Sequence, residues 1–210
     1  MSALTQYQNA AYADRYKGLV ERVCQAEAKA QRGSDALARA VARYYFKLLA
    51  YKDEYEVARL YSSPDFQRRL NEQFEGEFKL HFHLAAPIIA RRDLDTGKLE
   101  KREFGSWILN VFHLLKHFKF LRGTAFDPFG LTAERRQERR LIGDYEATIE
   151  QLLQGLSPEK MALAVQIAEI PEHIRGFGHV KERHIEDAKA NEGVLLKQFH
   201  SDLEEKVAAE

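Results

Sequence analysis

The stretch Phe118-Lys-Phe-Leu-Arg-Gly-Thr-Ala-Phe-Asp-Pro-Phe-Gly-Leu-Thr132 decides how the chain is organised, because the sequence on both sides of it is typical of helix. Its two glycines and Pro128 interrupt any helix here, since proline also excludes the α region for the residue before it. The stretch holds four phenylalanines, which predicts a loop packed onto the core. Thr132 is expected to cap a helix that begins at Ala133.

Apolar residues recur at helical spacing through most of the remaining chain. Two Ser-Pro pairs add the pattern of a helix cap followed by proline in the first turn. The predicted helices are Thr5 to Ala30, Asp35 to Tyr51 with Ser34 as its cap, Glu54 to Tyr61, Pro64 to Phe74, Ser106 to Phe118, Thr132 to Gln154, Ser157 to Ile170, and Val180 to Val207 with a break near Asn191 to Gly193.

A small β element interrupts this helical pattern. From Phe78 to Leu84 apolar and polar residues alternate strictly, which predicts an amphipathic strand. Asp93 to Gly97 is a turn-forming cluster, flanked by two further candidate strands at Ile88 to Arg92 and Lys98 to Phe104. The sequence therefore predicts a mainly α fold, a single-domain helical bundle over residues 1–210, with a small antiparallel sheet or hairpin inserted around residues 77–104.

Composition narrows the class of protein. The chain has 210 residues, and its 32 basic and 32 acidic residues give no net charge, which argues against a dedicated nucleic-acid-binding protein. Cys24 is the single cysteine, so neither an intrachain disulfide nor a four-thiolate iron–sulfur site is possible. No signal pattern or membrane-spanning apolar run is present in the sequence, and we expect a cytoplasmic protein with no membrane partner.

The helix predicted at Ser106 to Phe118 has an apolar face and a polar one. Asn110, His113 and His117 share the polar face, and the face expected to pack on the core carries Trp107, Ile108, Val111, Phe112, Leu115 and Phe118.

Two histidine pairs have spacings that suit metal ligation: His81 with His83 on the predicted strand, and His113 with His117 one helical turn apart. The alternative is that each pair lies on a solvated face. No cysteine or carboxylate completes either pair in the sequence, so we predict no metal site.

Two basic segments are candidates for binding an anion or an acidic partner. Arg135 to Arg140 carries four arginines, but neighbouring carboxylates lie within helical reach, which favours a salt-bridged exposed face. Arg175 to Lys181 places two glycines, an Arg, a His and a Lys before a helix, where an anion is commonly held. It lacks the spacing of a phosphate-binding loop and follows no strand, so a tight turn between helices is the alternative.

Aromatic and cationic residues lie side by side in the two loops Phe120 to Gly130 and Arg175 to Lys181, a combination that interface centres favour. We hypothesise that the loops approach each other and form one contact surface. The alternative is that the phenylalanines are buried and the cations cap helix ends. The candidate contact residues are Arg122, Phe126, Phe129, Arg175, Phe177, His179 and Lys181.

Several segments together resemble the C-terminal region of the large fused bacterial indolepyruvate ferredoxin oxidoreductases. The resemblance covers about Tyr7 to Phe199. The segments that carry it are Ala42 to Tyr61, Phe74-Glu-Gly76, Lys101-Arg-Glu-Phe-Gly105, Phe120-Leu-Arg-Gly-Thr-Ala-Phe-Asp-Pro-Phe-Gly130, Thr132-Ala-Glu-Arg-Arg136 and Ile174-Arg-Gly-Phe-Gly-His-Val-Lys-Glu182.

The resemblance implies a role beside an enzyme. Members of that family oxidatively decarboxylate arylpyruvates or other 2-oxoacids to acyl-CoA with thiamine diphosphate and iron–sulfur clusters, and pass electrons to ferredoxin. None of their catalytic or cofactor-binding motifs occurs here, so no catalytic, cofactor-binding or metal residue is assigned.

The expected function is a non-catalytic accessory domain for assembly or docking. Its partners would be the catalytic domains of the parent oxidoreductase, with a homo-oligomer as a further candidate. The alternative is a free-standing helical binding protein for a small ligand or metal.

Overall fold

The fold was obtained as a computed structural model, which describes residues 2–76, 78–84 and 102–207, and the side chains as far as residue 201. The predicted class is confirmed: the chain is mainly α-helical with a small antiparallel sheet. The elements are α1 Ser2–Tyr7, α2 Ala10–Ala30, α3 Ala36–Leu49, α4 Glu54–Tyr61, α5 Pro64–Gln73, β1 Phe82–Leu84, β2 Arg102–Phe104, α6 Ile108–Leu115, a 3₁₀ helix Lys116–Leu121, α7 Ala133–Gln154, α8 Met161–Glu169, a 3₁₀ helix Ile170–His173 and α9 Gly178–Val207.

The chain divides into two compact units. The first unit combines Met1–Tyr51 with Gln137–Glu210, and the second is Lys52–Arg136. The single-domain interpretation stays a prediction. None of the helices in the described ranges is both long and apolar enough to cross a membrane.

The first unit is built on α3, which packs against α2 and α8. Tyrosines fix the surrounding helices, because a buried ring fills the core while its hydroxyl finds a backbone acceptor. Tyr7 donates to the carbonyl of Tyr51 at 2.9 Å, and Tyr145 donates to the carbonyl of Ala168 at 2.9 Å. The fully buried large side chains of this unit include Leu4, Tyr7, Leu19, Leu37, Tyr45, Leu49, Ile149, Leu152, Ile167 and Phe199.

A buried carboxylate from the neighbouring helix caps the N-terminus of α3. Glu27 lies in α2 and is 1% exposed. Its two carboxylate oxygens accept from the backbone N–H groups of Leu37 at 3.0 Å and Ala38 at 2.8 Å, and from the hydroxyl of Ser34 at 2.6 Å. Ser34 was predicted to be the cap itself; the structure gives that task to Glu27, which reaches the free N–H groups from the neighbouring helix.

The second unit packs α4 against α6 beneath the two-stranded sheet. Strands β1 and β2 are antiparallel, with Phe82 opposite Phe104 and Leu84 opposite Arg102. The small core that results contains Ala58, Phe82, Ile108 and Phe112. Tyr61 of α4 fills the space between them, since its ring lies 5.2 Å from Phe82 and 5.9 Å from Phe112.

Two local capping signals are confirmed in the second unit, whereas the Ser157-Pro158 signal in the first unit was wrong, because α8 begins only at Met161. Ser63 caps α5 through its hydroxyl, which accepts from the N–H of Phe66 at 3.2 Å, and Pro64 is the first helical residue. Thr132 caps α7 by accepting from the N–H of Arg135 at 3.2 Å.

Several predicted boundaries were wrong. The first helix is interrupted where the side chain of Asn9 caps α2, and α9 runs without the break expected near Asn191. Strand β1 begins at Phe82 rather than Phe78, because the partner strand pairs only as far as that residue. The predicted strand Ile88 to Arg92 and the turn Asp93 to Gly97 lie outside the described residues.

Replacing Glu27 by alanine is expected to destabilise the first unit. The substitution leaves two buried N–H donors without an acceptor, which costs about 2–3 kcal/mol of unfolding free energy. Thermal unfolding followed by far-UV circular dichroism measures this as a fall of about 5 °C or more in the midpoint. Glu21→Ala is the matched control, since Glu21 lies in the same helix and its ion pair with Lys17 is exposed. Equal midpoints for the two variants would contradict the capping role.

Candidate functional site

The 120–130 loop, defined as Phe120 to Gly130, is organised by one buried carboxylate. Asp127 accepts from the backbone N–H groups of Gly123 at 2.8 Å and Phe129 at 3.1 Å. Its third donor is the hydroxyl of Tyr55, at 3.1 Å. A side chain at Gly130 would collide with this carboxylate, which explains why glycine follows the Asp-Pro-Phe sequence. The loop is therefore fixed from its inner side.

A buried ion pair ties the same loop to the start of α4. The guanidinium of Arg122 donates to both carboxylate oxygens of Asp53, at 2.5 and 2.9 Å, and the two side chains are only 5% and 3% exposed. Asp53 also caps α4, because its Oδ1 accepts from the N–H of Glu56 at 2.9 Å. A bidentate pair with this additional hydrogen bond is the arrangement in which a buried salt bridge is best compensated.

Tyr55 lies between the two buried carboxylates. Its ring contacts Phe129 edge-on at 5.3 Å, and the guanidinium of Arg122 lies 5.6 Å from the ring centre. Burial, followed by the charge of Asp127, raises the pKa of Tyr55 above its ordinary value. Tyr55 therefore stays a neutral donor, and it joins the loop and α4 into one packed block.

The phenylalanines of the loop do not pack as the sequence predicted. Only Phe129 turns inward, against Tyr55. Phe126 is 81% exposed, and Phe118 and Phe120 are exposed too. The stretch also begins in a 3₁₀ helix that ends at Leu121, although it was expected to contain no helix. Buried polar contacts of Asp127 and Arg122 hold the loop in place, so the aromatic surface is free to face outward.

The 175–181 loop, defined as Arg175 to Lys181, belongs to the first unit and is also held from behind. Arg175 donates to the backbone carbonyl of Glu172 at 2.9 Å, and His184 of α9 contacts the carbonyl of Arg175 at 2.8 Å. Gly176 has a φ of 91°, and a side chain there would press on Val180. Glycine is thus required at this turn.

In the 175–181 loop Lys181 is largely buried, whereas Phe177 is exposed. Lys181 forms a largely buried ion pair with Glu138 of α7, in the part of that helix that lies in the first unit. Phe177, in contrast, is 76% exposed, and His179 beside it is exposed as well. Nearby, burial and then the charge of Arg175 lower the pKa of Lys47, whose ammonium donates to the carbonyl of Pro171 at 2.6 Å.

The seven candidate contact residues thus fall into two groups. Arg122, Phe129 and Lys181 are turned inward in their own units, as the structural alternative expected. Exposed residues are Phe126, Arg175, Phe177 and His179. The two loops lie in different units, and their approach to each other stays a prediction.

An exposed apolar stripe runs along α6 and the residues that flank it at both ends. Trp107, Val111 and Phe118 were predicted to be buried, and that prediction was wrong: they are 59%, 42% and 40% exposed. Leu114 joins them at 64%. The helix is apolar over more of its circumference than α4 covers, so periodicity alone did not distinguish the buried part from the exposed part.

The histidine pairs are exposed. His81 contacts the carboxylate of Glu103 across the hairpin, and His113 contacts the backbone carbonyl of Leu109 at 2.8 Å. No group of three or more His, Cys, Asp or Glu side chains within the described ranges is arranged to hold a metal ion.

The arginine-rich start of α7 forms ion pairs, although with other partners than predicted. Arg135 pairs with Glu54 of α4 at 3.3 Å, and both side chains are largely buried. Burial opposes the charge of Arg135, but Glu54 outweighs it and raises the pKa of the guanidinium. Two of the carboxylates within helical reach of the arginines, Glu138 and Asp144, bind lysines of α9 instead.

The first unit has an open groove of about 580 Å³ between α2 and α7. Small residues, including Gly18 and Gly143, form its floor. Ion pairs from Arg15 to Glu146 and from Arg22 to Glu150 join the two helices across it. Four of the charged side chains that line the groove are thus paired with each other between the two helices.

Comparison with known proteins gives one match. A family model described as a family of unknown function, DUF6537, matches residues 1–193. No curated protein and no solved structure matches the chain.

Arg122→Leu is expected to destabilise the second unit by about 3–5 kcal/mol, because it leaves the carboxylate of Asp53 buried and unpaired. Adding Asp53→Asn removes that charge while keeping an acceptor for the cap of α4, so the double variant should regain part of the loss. Urea unfolding followed by tryptophan fluorescence measures this in the second unit, where the single tryptophan, Trp107, lies.

The control for this experiment is Arg68→Leu. Arg68 also pairs with a carboxylate in the second unit, at 2.7 Å from Asp65, but both side chains are mostly exposed, and the expected cost is about 0–1 kcal/mol. If Arg122→Leu is as mild as this control, the buried pair does not hold the loop.

Proposed function

Since the chain belongs to DUF6537, a family of unknown function, we propose from its own residues that it is a non-catalytic accessory domain of a 2-oxoacid:ferredoxin oxidoreductase. In this proposal the domain serves docking or assembly with the catalytic domains of an indolepyruvate-type enzyme in the cytoplasm. Support for the parent enzyme comes from the resembling segments, above all 120–130, 132–136 and 174–182.

The observation that carries the docking role is the exposure of Phe126 and Phe177 on loops whose backbones are held by hydrogen bonds. A loop that is merely solvated has no need of a large aromatic tip, and a mobile loop loses entropy when it docks. Here the backbone beneath Phe126 is fixed by Asp127, and the turn before Phe177 is fixed by contacts of Arg175. Pre-ordered aromatic side chains of this kind are what protein interfaces use as anchors.

The neighbours of these rings fit a docking surface as well. Arg175 and His179 put polar groups at the surface beside Phe177. Aromatic anchors bordered by arginine and by other polar side chains are typical of interface centres and their rims. The surface is therefore suited to a partner that covers the ring and accepts hydrogen bonds around it.

The chain's residues do not fit the iron–sulfur clusters of the parent enzyme. An iron–sulfur cluster takes four thiolates, whereas Cys24 is the only cysteine in the sequence. We assign the thiamine diphosphate and the clusters to other domains of the parent enzyme, and derive no chemical step within this chain.

The isolated 210-residue chain is accordingly expected to be colourless and inactive. With thiamine diphosphate, CoA, ferredoxin and indolepyruvate added, it should reduce no ferredoxin, because it supplies no cluster to carry the electrons. Absorbance near about 400 nm, where iron–thiolate centres absorb, and a ferredoxin-reduction assay check this. Turnover by the isolated chain would contradict the accessory role.

In the full oxidoreductase that contains this domain, Phe126→Ser and Phe177→Ser are each expected to weaken assembly or lower ferredoxin reduction by about tenfold or more, the effect of losing one aromatic anchor. Both rings are exposed, so the isolated chain should keep its unfolding midpoint. Size-exclusion chromatography and the indolepyruvate-dependent reduction rate are the measurements.

Val194→Ser is the matched control, since Val194 is an exposed apolar residue on α9 outside both loops. Unchanged assembly and activity in both phenylalanine variants would refute the docking proposal. A large fall in the unfolding midpoint of the isolated chain would assign the rings a structural role instead.

A further inference from the structure

The stripe on α6 is a second exposed surface, separate from the loop tips. Val111 and Leu114 lie in α6, Trp107 directly precedes it with helical backbone angles, and Phe118 lies in the 3₁₀ helix that continues it. Their intervals of four, three and four residues place them along roughly one side of this helical segment. Ile108 and Phe112 lie about a quarter turn away and are buried against α4. A helix that is apolar over such a wide arc is normally covered by other protein on both its sides, here the side that faces α4 and the exposed stripe.

The exposed side of this segment carries no fixed charge. Every exposed position from Ser106 to Phe120 is serine, asparagine, histidine or a large apolar residue. The two lysines of the segment, Lys116 and Lys119, are half-buried, and burial followed by the charges of Arg122 and Arg59 lowers the pKa of Lys119. An uncharged face offers nothing to a strongly acidic partner. Recognition of an anionic lipid surface takes a cluster of about four to eight Lys or Arg side chains, which this face lacks.

The order of residues along the stripe is symmetric. Reversing the chain direction exchanges Trp107 with Phe118 and Val111 with Leu114, so an aromatic residue stands at each end and an aliphatic pair in the middle. A two-fold axis at the middle of the stripe therefore places Trp107 of one copy against Phe118 of the other copy, and Phe118 against Trp107. Two-fold interfaces use the same patch on both subunits and require this self-complementarity.

The area agrees with a weak dimer. The exposed parts of the four stripe residues and of Phe120 amount to about 500 Å² per copy, given the 150–250 Å² of an aromatic side chain. Two copies would bury about 1,000 Å², near the lower limit for a specific interface. We propose that α6 is the contact of a reversible homodimer, in which two copies of the helix pack antiparallel through Trp107, Val111, Leu114 and Phe118.

Sedimentation-velocity ultracentrifugation of the 210-residue chain tests this from about 1 to 300 µM, with a Kd expected on the order of 10 µM. The apparent mass should rise from 24.3 kDa towards twice that value. Fluorescence of Trp107, the only tryptophan, should shift to shorter wavelength over the same range as its ring leaves water. A monomer at every concentration would overturn the proposal.

Two variants assign the contact to α6. Leu114→Lys places a charge at the centre of the stripe and should weaken the dimer at least about tenfold, because a buried unpaired charge is costly. Combining it with Val111→Glu should restore association. The two-fold axis places position 111 of each copy opposite position 114 of the other, so the double variant forms two ion pairs between the copies. Leu60→Lys, at an exposed apolar position of α4, is the matched control and should leave the dimer intact.

The remaining outcomes all overturn the proposal. These are a dimer that Leu114→Lys leaves unchanged, a double variant that is no better than Leu114→Lys, and association with phosphatidylglycerol vesicles that depends on Leu114 while the chain stays monomeric. Each experiment uses the isolated chain, so the result is independent of whether the loops dock in an oxidoreductase.

Discussion

Buried carboxylates that accept backbone N–H groups fix the points at which this chain turns. The first N–H groups of a helix have no partner within it, and away from water each needs an acceptor. Glu27 supplies that acceptor to α3 and Asp53 supplies it to α4. Asp127 does the same for a loop with no helix of its own. Burying these three carboxylates is costly, and each of them is compensated by at least three hydrogen bonds.

The arrangement around Asp127 explains how an ordered loop can leave its aromatic residues in water. Irregular segments run over the protein surface and are usually more mobile than the helices and strands that they connect. Here Arg122 and Tyr55 supply the inward contacts with polar groups, and Phe126 is not needed for the loop's stability. An exposed ring on a fixed backbone is thus compatible with a stable domain, and it has already lost the backbone entropy that docking would otherwise cost.

The limits of prediction from sequence follow the distance between partners along the chain. The caps at Ser63 and Thr132 were predicted because acceptor and donor are three residues apart. Glu27 binds Ala38 across the turn between two helices, and Arg122 binds Asp53, which lies 69 residues away in the sequence. Neither pair produces a short sequence motif from which it could be predicted. The glycines of the 175–181 loop predicted a turn there. The ion-pair partner of Lys181 could not be predicted, because it depends on which helix packs beside the loop.

Helix α6 shows the same limit for apolar residues. A period of 3.6 residues locates an apolar arc, but the part of the arc that is buried is decided by the neighbouring element. Because α4 covers only the side of Ile108 and Phe112, the prediction that Trp107 and Phe118 face the core was wrong although the helix itself was right. Leucine, tryptophan and phenylalanine are costly to leave in water, at about 25 cal/mol per Å². For the roughly 500 Å² that the stripe and Phe120 expose in one copy, that amounts to about 12 kcal/mol of transfer free energy, and an association recovers only the excess over its own entropic cost. That cost is of the same order, about 4–15 kcal/mol, so the proposed contact between two copies would be reversible rather than obligate.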